Sequence, residues 1–150
     1  MADVRLADPR DAELVASLMC RFRDHLGLER PSDNAMLAGV EKVLEDHMSD
    51  FLLAGEDGVC QLRFRWGVWR SGLDCLLEDL YVAEHARGQG VGRALVQAAF
   101  DRCRERGARR MELDTNETNT AAIALYEAFG FRNRTDAYPG RDLYFRVHLD

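Results

Sequence analysis

Apolar residues in the first third of the chain recur at the spacing of amphipathic helices. The pair Asp8-Pro9 opens the first predicted helix, because proline is tolerated at a helix start, and Gly27 ends it. A second helix follows, with Ser32 or Asp33 as its cap. Its apolar positions are Met36, Leu37, Val40, Val43, Leu44 and Met48. Both helices therefore present an apolar face to a core.

The apolar period changes after the second helix, and turn signals then separate short apolar or loosely alternating runs. These runs, together with one at the start of the chain, predict strands at residues 4–7, 51–54, 59–69 and 73–82. The second half alternates, with helices predicted at 91–106 and 119–129 and strands at 109–114, 131–134 and 143–149. This order is typical of a mixed α/β domain. Because no linker interrupts residues 1–150, we expect a single domain.

Composition and charge exclude several classes of protein. The net charge of −6 argues against a nucleic-acid binder, because no broad basic surface is available to neutralise phosphates. No stretch of about 20 apolar residues occurs, so we expect a cytoplasmic protein that does not bind membranes. The four cysteines form no C-x-x-C pair, and the histidines lack metal-ligand spacing. We therefore expect free thiols and no metal.

A glycine-rich segment lies between a predicted strand and a predicted helix. Its residues are Arg87, Gly88, Gln89, Gly90, Val91, Gly92 and Arg93. Glycine lets the backbone turn sharply and bring its N–H groups close to a ligand, and the start of a helix adds unpaired donors and partial positive charge. The segment therefore predicts a pyrophosphate site, with a plain flexible loop as the alternative.

The glycine spacing distinguishes this segment from two common nucleotide sites. A P-loop requires a lysine after its last glycine, and none follows here. A dinucleotide-binding fold requires G-x-G-x-x-G and an acidic residue about 20 positions on. Glu112 and Asp114 lie near that distance, but Arg93 stands where the third glycine belongs. Neither a P-loop nor a dinucleotide-binding loop therefore matches.

Two motifs resemble those of the GNAT superfamily of N-acetyltransferases. Arg87, Gly90 and Gly92 match the pattern [R/Q]-x-x-G-x-[G/A] after a strand. Downstream, Asn119 precedes AIALYEAFGF at residues 122–131, a second motif of that superfamily. The resemblance implies a GNAT-like acyltransferase fold: a central, splayed, mostly antiparallel sheet flanked by helices. It also implies that the chain is an enzyme using acetyl coenzyme A (acetyl-CoA).

The resemblance also implies which residues hold acetyl-CoA. The cofactor would lie between two diverging parallel strands, 73–82 and 109–114. Its pantetheine arm would pair with the backbone of Leu80, Tyr81 and Val82, and residues 87–93 would hold its pyrophosphate. The remaining contacts would come from the helix that follows the second strand, at Asn119 and Tyr126.

Two adjacent carboxylates, Glu78 and Asp79, interrupt an otherwise apolar strand. Strand alternation predicts that they point to opposite faces of the sheet. A charge in a central strand must be paired, solvated or functional. The run LEDLYV at 77–82 resembles diamine and polyamine acetyltransferases, which implies Glu78 as a base that also contacts the amine and Asp79 as a contact for a cationic substrate. The alternative is a structural salt bridge to an arginine.

Tyr126 is the predicted proton donor to the leaving thiolate, by resemblance to the tyrosine that faces the coenzyme A sulfur. Transfer of a proton from a phenol with a pKa near 10 to a thiolate whose thiol has a pKa near 8.5 is uphill by roughly 2 kcal/mol. We therefore predict equally that Tyr126 stabilises the thiolate by donating a hydrogen bond. The alternative for Tyr126 is a core aromatic. No cysteine lies in a nucleophile context, so we expect direct attack of the amine in a ternary complex.

These residues leave several functions open. The leading hypothesis is acetyl transfer to a primary amine of a small, cationic molecule. The alternatives are acetylation of a protein N-terminus or lysine, and a non-catalytic acyl-CoA sensor. A homodimer is compatible with the family, and Trp66 and Trp69 are candidates for either an interface or the core.

Overall fold

The structure of the protein is a computed structural model that describes residues 3–149. Its first unit, Met1–Leu113, is built on one five-stranded sheet. The elements of this unit are β1 (Val4–Leu6), α1 (Ala12–His25), α2 (Asp33–Glu45), β2 (Ser49–Ala54), β3 (Gly58–Gly67), β4 (Gly72–Val82), α3 (Val91–Arg106) and β5 (Arg110–Glu112). Short 3₁₀ turns, Pro9–Asp11 and Glu84–Ala86, precede α1 and α3.

Local hydrogen bonds explain where the first two helices begin. The Asp8 carboxylate accepts a hydrogen bond from the backbone N–H of Arg10, and the Asp11 carboxylate accepts one from the N–H of Asp8. Ser32 caps α2, because its hydroxyl oxygen accepts from the N–H of Ala35 at 3.2 Å. Of the two predicted caps for the second helix, Ser32 is therefore the residue that caps it.

Both ends of α3 confirm the predicted bounds of this helix. It spans Val91–Arg106, with Gly90 before it at φ +83° and Gly107 after it at φ +76°. Only glycine adopts this left-handed backbone at little cost, so the two glycines determine the length of the helix.

The sheet is antiparallel except at its last pair of strands. Its order is β1-β2-β3-β4-β5, and β4 and β5 run parallel. Their pairing covers only residues Asp74 to Leu76 of β4, although β4 continues to Val82. The predicted splayed, mostly antiparallel α/β fold is confirmed.

Two apolar layers cover the two faces of the sheet. The face toward α3 is lined by Leu52, Cys60, Leu62, Phe64, Cys75, Leu77, Leu95, Ala99 and Cys103. The face toward α1 and α2 is lined by Val15, Leu18, Val40, Phe51, Leu53, Val59 and Tyr81. Trp66 and Trp69 belong to neither layer, and Trp69 is 95% exposed, so the core alternative for these tryptophans is wrong.

The second unit, Asp114–Asp150, contains one helix, α4 (Thr120–Ala128). Gly130 follows it at φ +97° and ends it as predicted. The predicted strands at 131–134 and 143–149 are wrong: within the described residues neither segment forms a strand. An alternating apolar pattern offers a face but no hydrogen-bonding partner, and a strand exists only where a neighbour pairs with its backbone. The single domain over 1–150 stays a prediction.

No helix among residues 3–149 is both long and apolar enough to span a membrane. Over the same residues, no three His, Cys, Asp or Glu side chains converge as metal ligands.

Candidate active site

A β-bulge in β4 places the two carboxylates of the site. Gln61 of β3 lies opposite Asp79, and the next residue, Leu62, lies opposite Leu77, so Glu78 is an extra residue on β4. Bulges of this kind change the direction in which a strand presents its side chains. The residues on either side of the bulge, Leu77 and Leu80, consequently both pack in the α3 layer.

Glu78 and Asp79 therefore lie on the same face of the sheet, the one toward α1 and α2. Asp79 is opposite Gln61, which alternates with α3-layer residues of β3. Glu78 reaches Arg63, which lies two residues further along β3 on that face. The prediction of opposite faces is wrong because simple alternation does not hold across a bulge.

Glu78 forms an ion pair with Arg63, whose Nη2 lies 3.2 Å from Oε1 of the glutamate. The glutamate side chain is 30% exposed and the arginine side chain 55% exposed. This contact realises the salt-bridge alternative for Glu78. It also leaves the carboxylate open to solvent, which a proton acceptor needs.

Aromatic side chains surround the end of β4 on the same face. The ring of Tyr81 stacks on Phe22 of α1 with 5.2 Å between centroids, and His25 lies 6.4 Å away. The guanidinium of Arg87 lies 5.8 Å from the Tyr81 ring centre. The last turn of α1 thus adjoins the strand that carries the two carboxylates.

The glycine-rich segment forms an open loop before α3. Gly88 and Gly90 both have a left-handed backbone, at φ +74° and +83°, and a Cβ built at either would meet no atom within 4 Å. Gly90, the N-cap residue of α3, has no side chain with which to cap the first N–H groups of the helix. This combination of uncapped donors and an unobstructed backbone fits the diphosphate of coenzyme A.

The three polar side chains of this loop differ in what they contact. Arg87 donates from Nε to the backbone oxygen of Val82 at 3.0 Å, and Gln89 donates to the backbone oxygen of His85 at 3.1 Å. Arg87 therefore holds the loop against the end of β4, and Gln89 holds it against the 3₁₀ turn that follows β4. The loop N–H groups remain the predicted pyrophosphate donors. Arg93, predicted to contact phosphate, is exposed and also has an interaction within the protein.

β4 extends past its partner at the same end of the sheet. Six residues, Leu77–Val82, follow the last pair with β5, so their backbone groups on the β5 side lack a partner strand in the described part of this unit. Leu80, Tyr81 and Val82 lie in this stretch, directly before the glycine loop. An edge of this kind fits the amide-containing pantetheine arm, which can pair with it like a strand.

The second unit carries the two remaining predicted residues. Asn119 is at the N-cap position of α4, and its amide nitrogen lies 3.4 Å from the hydroxyl of Thr115. Tyr126 is buried and packs edge-on against Phe131, with 5.9 Å between ring centroids. The backbone N–H of Phe131 also donates to the backbone oxygen of Tyr126, which orders the turn after α4.

Two surface clefts lie elsewhere in the first unit. One, of about 420 Å³, lies between α1 and α2 and includes Arg23 and Asp33, which form an ion pair at 2.8 Å. The other, of about 390 Å³, includes Asp50 and Arg102, which pair at 2.7 Å. Neither cleft is lined by β4 or the glycine loop.

The buried thiols do not suit covalent catalysis. Cys60, Cys75 and Cys103 lie in the α3 layer, and burial raises the pKa of the Cys60 thiol far above its ordinary value. A neutral, inaccessible thiol is a poor nucleophile, which is consistent with direct attack by the amine.

Sequence reasoning missed three features of this site: the bulge, Arg63 and the aromatic pair Phe22 and His25. The two aromatic residues are three positions apart on α1, which indicates a shared face but not the strand they meet. Gln61 lies opposite Asp79 at the bulge, and its residue type alone does not indicate the bulge.

Comparisons with known proteins agree with this geometry. The family model for the acetyltransferase (GNAT) family matches residues 4–131. An uncharacterised N-acetyltransferase of Bacillus subtilis, YhfO, is 33% identical over 141 residues, which cover 89% of this chain and 91% of that protein. The thialysine N-epsilon-acetyltransferase of Bos taurus is 31% identical over 74 residues, 49% of this chain and 43% of that protein.

A solved structure from Arthrobacter sp. FB24, provisionally described as an acetyltransferase, superposes on the whole fold. Its TM-score is 0.90 at 32% sequence identity, covering 99% of this chain and 97% of that one. The matching fold, the glycine loop before α3 and the family match over residues 4–131 lead to one conclusion. The chain belongs to the GNAT family of acyl-CoA-dependent N-acetyltransferases.

Proposed function

We propose that this enzyme transfers the acetyl group of acetyl-CoA to a primary amine of a small molecule that carries a second positive charge. The observation that carries the proposal is the bulge in β4, which puts Glu78 and Asp79 side by side on one face of the sheet. Two carboxylates on one face can serve two nitrogens of the same substrate.

Acetyl-CoA supplies the acetyl thioester. The uncapped start of α3 and the backbone of Gly88, Gly90 and Gly92 bind its diphosphate, and Arg87 holds the loop to β4. The edge of β4 at Leu80–Val82 binds the pantetheine arm, and Asn119 is the further contact to the cofactor. Binding both substrates in one complex makes the attack effectively unimolecular.

Glu78 accepts the proton that the amine loses. A carboxylate and an alkylammonium differ by about 6 pK units, so direct removal before attack is strongly uphill. Glu78 therefore works through a water molecule, or on the nitrogen once bond formation has made it acidic. Asp79 binds the second cationic group, at roughly 1.5–3 kcal/mol for a charged hydrogen bond.

Tyr126 assists the leaving sulfur. Its phenol donates a hydrogen bond or a proton to the thiolate as the carbon–sulfur bond breaks. The packing of Tyr126 against Phe131 limits the rotation of the ring, which favours a fixed hydroxyl position.

The name of the thialysine N-epsilon-acetyltransferase identifies a side-chain amine as that enzyme's acceptor. This relative supports a small-molecule acceptor for the present chain.

A panel of amines with acetyl-CoA, followed by thiol release, tests the proposal. At low ionic strength we expect kcat/KM for a diamine to exceed that for a monoamine of equal length by roughly 10- to 100-fold. Asp79→Asn should remove most of this preference and raise KM more than it lowers kcat. Asp101→Asn is the matched control, because it removes one carboxylate on the outer face of α3.

Higher kcat/KM for neutral or acidic amines would contradict the proposal. Preference for a peptide with a free N-terminus or lysine would instead support a protein acceptor. Binding of coenzyme A with no turnover of any amine would support a sensor.

A further inference from the structure

We propose that Arg63 is a positioning residue, which holds the bulged Glu78 in the orientation that accepts the proton of the amine. The inference rests on the proposed function, since it assigns a partner to the proposed base. It begins from the ion pair between Arg63 and Glu78, which joins neighbouring strands across the bulge.

The bulge itself creates the need for such a partner. Residues in a regular ladder are held by paired backbone groups and by side chains directly opposite. Glu78 is the extra residue and has no residue directly opposite it on β3. Its long side chain would otherwise sample several rotamers, and ordering it at each turnover would cost entropy.

Arg63 is suited to supply that order. Its own position is regular, directly opposite Leu76 in the β3–β4 ladder. Its guanidinium contacts Oε1 of Glu78 at 3.2 Å, and among residues 3–149 no side chain is recorded against Oε2. One carboxylate oxygen is thus held while the other faces a substrate or water.

Because the side chains of Arg63 and Glu78 are both partly exposed, a positioning role for Arg63 can be distinguished from a structural one. Ion pairs between partly exposed side chains contribute about 0–1 kcal/mol to stability. Removing Arg63 should therefore leave the fold intact, and any large loss of rate must come from the placement or charge of Glu78.

The chain offers a matched control two residues away. Arg65 lies on the same face of β3 and pairs with Glu112 of β5 instead of with a β4 residue. Replacing Arg65 removes the same charge from the same strand, but Arg65 does not contact Glu78.

A double-mutant cycle tests the inference. Arg63→Ala should lower kcat about 10- to 50-fold with KM within about twofold, because a transition-state interaction is lost. Arg63→Lys should recover at least half of the decrease in log kcat that Arg63→Ala causes, since lysine keeps the positive charge. In the Glu78→Gln background Arg63→Ala should have no further effect on kcat, and Arg65→Ala should stay within about twofold of wild type.

A crystal structure of Arg63→Ala gives a readout independent of turnover. The Glu78 carboxylate should leave its present position or occupy several rotamers. An unmoved carboxylate, additive effects in the cycle, or an equal loss in Arg65→Ala would each overturn the role of Arg63. A fully active Glu78→Gln enzyme would instead remove Glu78 as the base, and no acetylation of any amine would refute the proposed function.

Discussion

β4 pairs with β3 along its whole length, but it pairs with β5 only in its first half. A glutamate–arginine ion pair lies at each end of this stretch of sheet. At the paired end, Glu112 is held by two arginines, Arg65 and Arg110. At the splayed end, Arg63 is the one side chain among residues 3–149 that pairs with Glu78. The glutamate side chains are similarly exposed, at 27% and 30%.

The difference between the two ends lies in backbone pairing and in the number of partners. A glutamate that contacts two arginines where β4 and β5 pair has its charge matched, and we expect it to act as a structural link. A glutamate on a bulge, beside an unpaired edge, keeps hydrogen-bonding capacity for another molecule. We therefore expect the same chemical pair to stabilise the sheet at one end and to prepare the proposed site at the other.

The largest expected effect tests this comparison directly. Glu78→Gln should lower kcat by about 10²- to 10⁴-fold, the range for loss of a general base. Glu112→Gln removes the same charge at the paired end and should leave kcat within about twofold. Steady-state kinetics with a saturating diamine measure both, and thermal unfolding confirms that both variants fold.

Equal losses of kcat in the two variants would show that the ends of β4 are not distinct. The ion pair at the splayed end would then be as structural as the one at the paired end.

A second test compares the two glycines that flank α3. Gly90→Ala should lower acetyl-CoA affinity by about 10-fold or more, because a methyl group obstructs the close approach of a diphosphate to the loop backbone. Gly107→Ala is a matched control: both glycines have a left-handed backbone, and neither new Cβ would meet an atom within 4 Å. Both replacements should destabilise the fold by a similar 1–2 kcal/mol or so, roughly the cost of that backbone for alanine.

Calorimetric titration with coenzyme A measures the affinities of the two variants, and chemical unfolding measures the loss of stability that both replacements cause. If the Gly90→Ala variant folds and keeps its affinity for coenzyme A, the splayed end of β4 is not the cofactor site.

The smallest expected effect concerns a third ion pair, at the far edge of the sheet. Arg5 donates two hydrogen bonds of 2.8 Å to Asp11 and thereby lowers the pKa of that carboxyl to about 2. A lowered pKa stabilises the fold above the ordinary value near 4, and this stabilisation is lost as the pH falls through about 2. Because the Arg5 side chain is 55% exposed, solvent screens the pair, and we expect it to contribute less than about 1 kcal/mol.

The difference in unfolding free energy between wild type and Asp11→Asn, measured from pH 7 to pH 2, checks this prediction. It should shrink toward zero at the acid end. Glu56→Gln serves as control, because no side-chain partner of Glu56 is recorded among residues 3–149, and its difference should not follow the same course. A pH-independent difference for Asp11→Asn would contradict the lowered pKa of Asp11 and the stabilising role of the ion pair.

Local sequence signals predicted most of the fold. The bounds of α3 follow from Gly90 and Gly107, and the start of α2 follows from Ser32, because caps and left-handed positions depend on adjacent residues. The strands at 131–134 and 143–149 could not be predicted in this way, since pairing requires a partner elsewhere in the chain. The alternation that placed Glu78 and Asp79 on opposite faces was wrong for the same reason.

The sequence by itself determined the family, the glycine loop and the two carboxylates of β4, because these are carried by residue type and short spacing. Only the tertiary structure decided that the carboxylates share a face and that Arg63, rather than Arg65, meets Glu78. Both depend on the register between β3 and β4. Register is a property of two strands together, and a bulge of one residue shifts every side chain beyond it.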